Sequence, residues 1–286
     1  MRQRRTKTQM QTLRNQILEE LRDDHPQSVR HVFYRMTDPR LKEPVEKSEA
    51  GARTIQNLLV TMRRDGSVPY HWITDSTRRG WFVDTYGSAA DAVEQAAAFY
   101  RRSVWDQTDV YVEVWCESRS IAAVIEPVTS RLAVPLYPCG GFASLSLIFN
   151  AVEQMKATSR GRPIKVIYVG DHDQAGVLID RSAETEMRQH LPADMDLSFN
   201  RVAVTPEQID LMGLPTKPPK KGDKRGGWKG GTVEAEAIPA GVMRDIVSDA
   251  IEDFIDPGLL RTVKVAEASE REYLASIAQA MRGEGA

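Results

Sequence analysis

Two aspartates one residue apart, Asp171 and Asp173, follow directly on the apolar run Ile164-Lys165-Val166-Ile167-Tyr168-Val169-Gly170. An apolar run closed by Gly predicts an inner strand of a parallel sheet, and such sheets collect ligands at the C-terminal ends of their strands. Asp-x-Asp at that place is a hard-cation motif, because alternate residues across a tight turn can present two anionic oxygens to one Mg²⁺. A third carboxylate, Glu117, ends a second run of the same kind, Val110-Tyr111-Val112-Glu113-Val114-Trp115-Cys116. Three carboxylates from two strand ends can then converge on one ion. The competing reading is that Asp171 and Asp173 cap the helix beginning near Ala175, a common role for Asp. Capping needs one aspartate and leaves Glu117 unexplained.

A nucleophile of another kind lies far upstream. In Ser28-Val29-Arg30-His31-Val32-Phe33-Tyr34, Arg30 precedes Tyr34 by four residues, so a helix puts both on one face. A tyrosine hydroxyl can attack a phosphodiester and store the energy of the cut strand in a phosphotyrosyl bond. A guanidinium offsets charge on the phosphoryl oxygens, and a Mg²⁺ site stabilises the attacking or leaving oxygen. Taken alone, Tyr34 reads more readily as a core or surface tyrosine.

These groups need elements to hold them. Met10, Leu13, Ile17, Leu18 and Leu21 recur at helical spacing, and His25-Pro26 stops the pattern. Ser28 offers an N-cap to a short second helix that ends by Asp38-Pro39, and a third helix over 48–65 turns Ala52, Ile55, Leu58, Leu59 and Met62 inward before Gly66. The β-prone pieces 68–73 and 81–83, parted by a polar stretch, predict a small hairpin, and helices followed by a hairpin describe a winged helix-turn-helix. Ser88-Ala89-Ala90-Asp91 offers a capping box for a bridging helix through about Arg102. Strand-like and helix-like segments then alternate over 109–116, 120–131, 133–137, 144–156, 164–169 and 175–191, which implies a parallel sheet with helices on both faces. A strand over 198–204 and helices near 239–255 and 267–282 complete an α/β chain. Its expected domains are 1–104, carrying the tyrosine, and 105–286, carrying the carboxylates.

With 286 residues, 41% of them apolar, the chain is long enough for two domains. No run approaches a membrane span and the N-terminus lacks the apolar stretch of a signal peptide, so a cytoplasmic protein is expected. Cys116 and Cys139 show no zinc-ligand spacing and are expected to be buried thiols. The net charge of −2 confines any nucleic-acid surface to a local patch. Two patches qualify: the arm Arg2, Arg4, Arg5 and Lys7, and a Gly-rich loop holding Lys217, Lys220, Lys221, Lys224, Arg225 and Lys229 against Asp223 alone. Lysines on so flexible a loop suit a phosphate backbone that orders it, and Trp228 within it could stack on a base.

A strand-end Glu, a following helix, the turn Gly140-Gly141-Phe142 and a strand ending in Asp-x-Asp together resemble the Toprim domain over roughly Asp109 to Leu191. Adding the upstream Arg-x-x-(Phe/Tyr)-Tyr helix, nearly the whole chain resembles the A subunit of topoisomerase VI and its meiotic double-strand-break relatives. The resemblance implies Tyr34 as nucleophile, Arg30 as its arginine, and Glu117, Asp171 and Asp173 as ligands of Mg²⁺, with Mn²⁺ as a substitute. It also matches Val233-Glu234-Ala235-Glu236-Ala237-Ile238 to the family's acidic segment late in Toprim, although Glu234 or Glu236 could instead cap the next helix. It implies cleavage of double-stranded DNA by a homodimer, each Tyr34 working beside the partner's metal site and staying attached to a 5′ phosphate.

The chain is shorter than a typical A subunit and nothing in it resembles the ATPase domain of the B subunit. Strand passage would therefore need a B-like partner, and the closer likeness is to reduced, stand-alone A-like proteins of phages, plasmids and bacteria, which would place it at the nucleoid. Two other readings stand beside this one. In the first, Toprim acts as a hydrolytic nuclease through metal-activated water, with Tyr34 structural. In the second, the chain binds DNA on the same fold without turnover.

Overall fold

A computed structural model describes residues 5–74, 83–141, 143–217 and 231–283. The first helix, α1 (Lys7–Asp23), opens on a reciprocal Thr6–Gln9 capping box and buries Leu13, Ile17 and Leu21, one residue per turn along a single stripe. A two-residue strand β1 (Gln27–Ser28) leads into α2 (Val29–Arg35), where the Ser28 hydroxyl accepts the His31 N–H as N-cap. Helix α3 (Glu49–Arg64) starts on Ser48 and buries Ile55, Leu58, Leu59 and Met62. It closes at Gly66, whose φ of +78° is the left-handed geometry that Gly adopts without a Cβ penalty.

In the first half of the predicted hairpin, Pro69 starts a single 3₁₀ turn over Tyr70–Trp72, and β2 (Ile73–Thr74) then pairs parallel with β1. The return half of the hairpin lies mostly outside the described residues. Helix α4 (Ala89–Phe99) has only half of the expected capping box: Ser88 accepts the Asp91 N–H, but the Asp91 carboxylate pairs with Arg282. Its partner is the C-terminal helix, to which Arg102 and Tyr100 are also tied through Glu270.

The chain then alternates through β3 (Tyr111–Cys116), α5 (Arg119–Arg131), β4 (Leu136–Pro138), α6 (Leu145–Ser159), β5 (Ile164–Val169), α7 (Gln174–His190) and β6 (Leu197–Ala203). All four strands run parallel in the order β4-β3-β5-β6. After α8 (Pro206–Met212), two isolated antiparallel bridges, Lys217 with Thr232 and His172 with Val233, carry the chain back to the sheet. Helices α9 (Ala240–Glu252) and α10 (Pro257–Gly283) finish it; the latter starts ten residues before its expected position. Among the described residues no helix is long and apolar enough to cross a membrane.

The sheet separates two cores. Val112, Val114, Cys116, Ile167 and Val169 pack with α5, α9 and the N-terminal helices in one continuous cluster, while Tyr111, Trp115, Val166 and Tyr168 pack with α6 and α7 in the other. Cys116 is a buried thiol as expected, but Cys139 is only partly covered. Glu113 lies on the second face, fully buried, where its two oxygens accept the Tyr111 hydroxyl and the Trp115 indole N–H, both at 2.8 Å. Burial raises its carboxyl to about 7, against those two hydrogen bonds. A carboxyl whose folded pKa lies above its unfolded value stabilises fully below the unfolded pKa and loses that contribution as pH rises through the folded one. The wild-type chain should therefore lose up to about 3 kcal/mol from this group between about pH 4.5 and pH 7. Urea unfolding of Glu113→Gln should show a correspondingly flatter pH dependence; parallel curves for the two proteins would contradict this.

Candidate active site

The register of the two central strands builds the site. Cys116 stands opposite Val169, so the residues leaving β3 and β5 emerge side by side, and the Glu117 N–H donates to the Val169 carbonyl at 2.9 Å. The Glu117 side chain turns toward the Asp-x-Asp segment, where its Oε2 accepts the Asp171 N–H at 2.9 Å. Two glycines keep this corner open. A Cβ on Gly170 would lie 2.9 Å from Tyr168 Oη and 3.1 Å from Glu117 Oε2, and one on Gly176 would lie 2.1 Å from the Asp171 carbonyl oxygen. The glycine turn predicted between the strands meets the same corner, since Gly141, at a φ of +96°, donates its N–H to the Glu117 carbonyl at 3.0 Å. Phe142 lies outside the described residues.

The two aspartates have separate roles. Asp171 Oδ1 accepts the Ala235 N–H at 2.8 Å, whereas Asp173 is the N-cap of α7 and accepts the Gly176 N–H at 2.7 Å. The capping reading is thus right for Asp173 and wrong for Asp171. Behind the turn, Arg201 of β6 donates to the carbonyls of Gly170, Asp171 and Gly176 and pairs with Asp180. Sequence inspection missed this brace; its only signal was a lone cation within a strand-like run.

The segment after Val233 completes the site. His172 and Val233 exchange backbone hydrogen bonds of 2.8 and 3.0 Å, and this bridge lays Glu234, Ala235 and Glu236 across the strand ends. Glu234 Oε2 accepts the Tyr34 hydroxyl and the Arg30 guanidinium at 2.6 Å, while its Oε1 accepts Lys217 Nζ at 2.8 Å. Glu236, almost fully buried, accepts the hydroxyls of Ser118 and Ser120 and stands 3.9 Å from Arg30. Neither glutamate caps the next helix, whose N-cap is Pro239. Tyr34 thus reaches the acidic segment of its own chain.

Two sets of carboxylates titrate in opposite directions. Asp171 is pushed up to about 8 by burial and then by the charges of Glu117 and Glu236. Glu117 moves upward too, through burial and the nearby Asp173 charge, against the hydrogen bond from the Asp171 N–H. Buried carboxylates this close resist full ionisation unless a cation joins them. Glu234 is held down at about 2 despite its burial, because Lys217, Tyr34 and Arg30 all hydrogen-bond to it. Tyr34 is pushed well upward by burial and by donating to that carboxylate. Arg30 ends above the usual range, since the charges of Glu236 and Glu234 outweigh its burial.

The donor set suits a hard divalent cation in part. Among the described residues, hydrogen bonds reach only one oxygen each of Glu117, Asp171 and Asp173, which leaves a second anionic oxygen on each. Yet among those residues no three His, Cys, Asp or Glu side chains gather closely enough to enclose an ion. Asp173 spends one oxygen on its helix, while its charge still reaches Glu117. Mg²⁺ commonly takes one or two carboxylates and completes its shell with water and substrate phosphate.

The loop residues Lys220, Lys221, Lys224, Arg225 and Lys229, together with Trp228, lie outside the described residues. Two lysines stand over the Tyr34 ring instead, Lys217 from the start of that basic loop at 5.4 Å and Lys47, not singled out from the sequence, at 5.2 Å from its centroid. Because the folded pKa of Asp171 is raised, its contribution to stability falls as pH climbs toward 8. In EDTA, Asp171→Asn should thus gain thermal stability relative to the parent from about pH 5 to about pH 9, and a constant difference across that range would refute the assignment. Compared with protein-family models, curated proteins and solved structures, the chain matches none.

Proposed function

We propose that this chain cleaves duplex DNA by tyrosine transesterification, in the manner of the topoisomerase VI A subunit that its motifs resemble. The observation that carries the proposal is the meeting of Tyr34 and Arg30 with Glu234, two hundred residues away in sequence, one residue from the backbone N–H held by Asp171. Tyr34 is almost fully buried in the core cluster, where a hydroxyl ordinarily takes a hydrogen-bond partner; what goes beyond packing is the Arg30 guanidinium on the same carboxylate oxygen.

In the proposed step, Tyr34 Oη attacks the phosphorus of one strand, an O–P bond forms to the tyrosine, and the bond to the 3′ oxygen breaks. The strand with the 5′ phosphate stays on Tyr34, and the departing 3′ oxygen takes up a proton. Glu234 Oε2 accepts the Tyr34 hydroxyl in the resting chain and orients it, and the proton that the nucleophile gives up passes to solvent. Arg30 sets its charge against the phosphoryl oxygens. A divalent ion held by Glu117 and Asp171 would supply further charge at the same phosphate. Duplex DNA is the substrate on this reading, a homodimer would cut both strands, and an ATPase partner would be needed for strand passage.

Supercoiled plasmid incubated with the protein and Mg²⁺ or Mn²⁺ should yield protein joined to 5′ ends, and mass spectrometry of the adduct should identify Tyr34. Tyr34→Phe should abolish the adduct, and Arg30→Ala should lower its rate by about a hundredfold. Free ends persisting in Tyr34→Phe would instead establish a hydrolytic nuclease. Absence of cutting with any divalent ion, alongside DNA binding that survives EDTA, would leave a binding protein.

A further inference from the structure

Beside Tyr34 opens a cleft of about 540 Å³, lined by Arg30, Phe33, Lys47, Ser48, Lys217 and Glu234 among others. That volume falls within the usual range for small-ligand sites. Three cations from three separate parts of the chain meet there. Arg30 comes from α2, Lys47 from the segment before α3, and Lys217 from the strand-like bridge after α8. Lys47 and Lys217 both stand over the aromatic ring whose hydroxyl Glu234 holds.

The Glu234 carboxylate lies among these cations as an anion would. It is bound by Arg30 through Oε2 and by Lys217 through Oε1, with the tyrosine hydroxyl on the same oxygen as the arginine. A phosphate diester presents the same feature, two anionic oxygens on one centre, with more charge-accepting surface. The geometry points to a phosphate-binding seat formed by Arg30, Lys47 and Lys217, in which Glu234 is an internal anion that a nucleic-acid phosphate displaces. Displacement would also free the Tyr34 hydroxyl, so the same event that seats the strand unmasks the nucleophile; this consequence rests on the transesterase reading, while the seat itself does not.

Lys47 makes the third cation informative. Its ammonium donates to the Pro215 carbonyl at 2.5 Å and has no carboxylate partner among the described residues. Burial, and then the neighbouring Lys217 charge, pull it down to about 8. A cation held in that condition gains from an anion close by. The opposing charge in the cleft is Glu234, with Glu49 at its edge on the first turn of α3.

The test is binding of a labelled duplex to the full chain in EDTA across a range of salt concentrations. Lys47→Gln should weaken binding several-fold and lower the slope of log K against log salt by about 1, as loss of one phosphate contact does, while Lys47→Arg should keep both. Glu234→Gln should tighten binding, because it removes the competing anion. An unchanged constant and slope in Lys47→Gln, or weakened binding in Glu234→Gln, would overturn the seat. Acetylation of Lys47 at about pH 8, followed by mass spectrometry, separates the sources of phosphate. Protection by inorganic phosphate and duplex alike assigns a general phosphate seat, protection by duplex alone assigns one that needs the diester chain, and protection by neither refutes it. The binding test runs without a divalent ion and so does not depend on cleavage: a chain that binds through Lys47 in EDTA yet yields no Tyr34 adduct once Mg²⁺ or Mn²⁺ is supplied would refute the cleavage reading and leave the seat standing.

Discussion

The parallel pairing of β3 with β5 is the constraint on which the rest depends. Both strands are buried on both faces, so their register is locked by packing: a slip of one residue would exchange the side chains of the two cores. Because Cys116 faces Val169, Glu117 and Asp171 emerge at the same height. The Asp171 N–H then falls within hydrogen-bonding reach of the Glu117 carboxylate. Gly170 and Gly176 are required by that closeness, since any side chain there would strike Tyr168 or the Asp171 backbone. Arg201 adds a brace by donating to the carbonyls of Gly170, Asp171 and Gly176, which ties the turn to the first residues of α7.

A second, weaker junction joins this sheet edge to the N-terminal helices. The His172–Val233 bridge consists of two backbone hydrogen bonds, and on it rides the acidic segment that meets Tyr34 and Arg30. The helices themselves are held by a broader contact. Leu13, Val32, Ile55 and Leu59 belong to the same apolar cluster as Val114 and Ile167 of the sheet, so α2 is presented to the strand ends by a shared core. Burial of that kind contributes about 1.5–3 kcal/mol per large aliphatic side chain, far more than an exposed ion pair. Packing therefore sets the position of Tyr34, and Glu234 sets the direction of its hydroxyl.

The electrostatics of the site divide along the same line. Glu117 and Asp171 lie in a buried corner, where burial raises both, the Glu117 charge adds to the rise of Asp171 and the Asp173 charge to that of Glu117. Glu234 lies among cations that keep it charged and keep Tyr34 protonated. The two environments adjoin through a single residue, Ala235, whose N–H binds Asp171 while its neighbour binds Tyr34. Arg30 spans the junction by facing both Glu234 and Glu236.

Much of this was legible in the residues before any fold was known. The parallel sheet with flanking helices follows from apolar runs alternating with helical periodicity, and the cap at Ser28 follows from residue type alone. Candidate carboxylates at strand ends were visible because their chemistry is local to a motif. The pairing of Ile73 with β1 was not legible, because β-propensity says nothing about which distant strand is available. That Asp173 also caps α7 is decided by the turn it sits in, which the spacing of the motif does not show. Local chemistry thus determined which residues could act; only the tertiary structure decided that Tyr34, Lys47, Lys217 and Glu234 share one cleft. Their meeting depends on long-range packing of a shared core, and no spacing along the chain encodes a contact across two hundred residues.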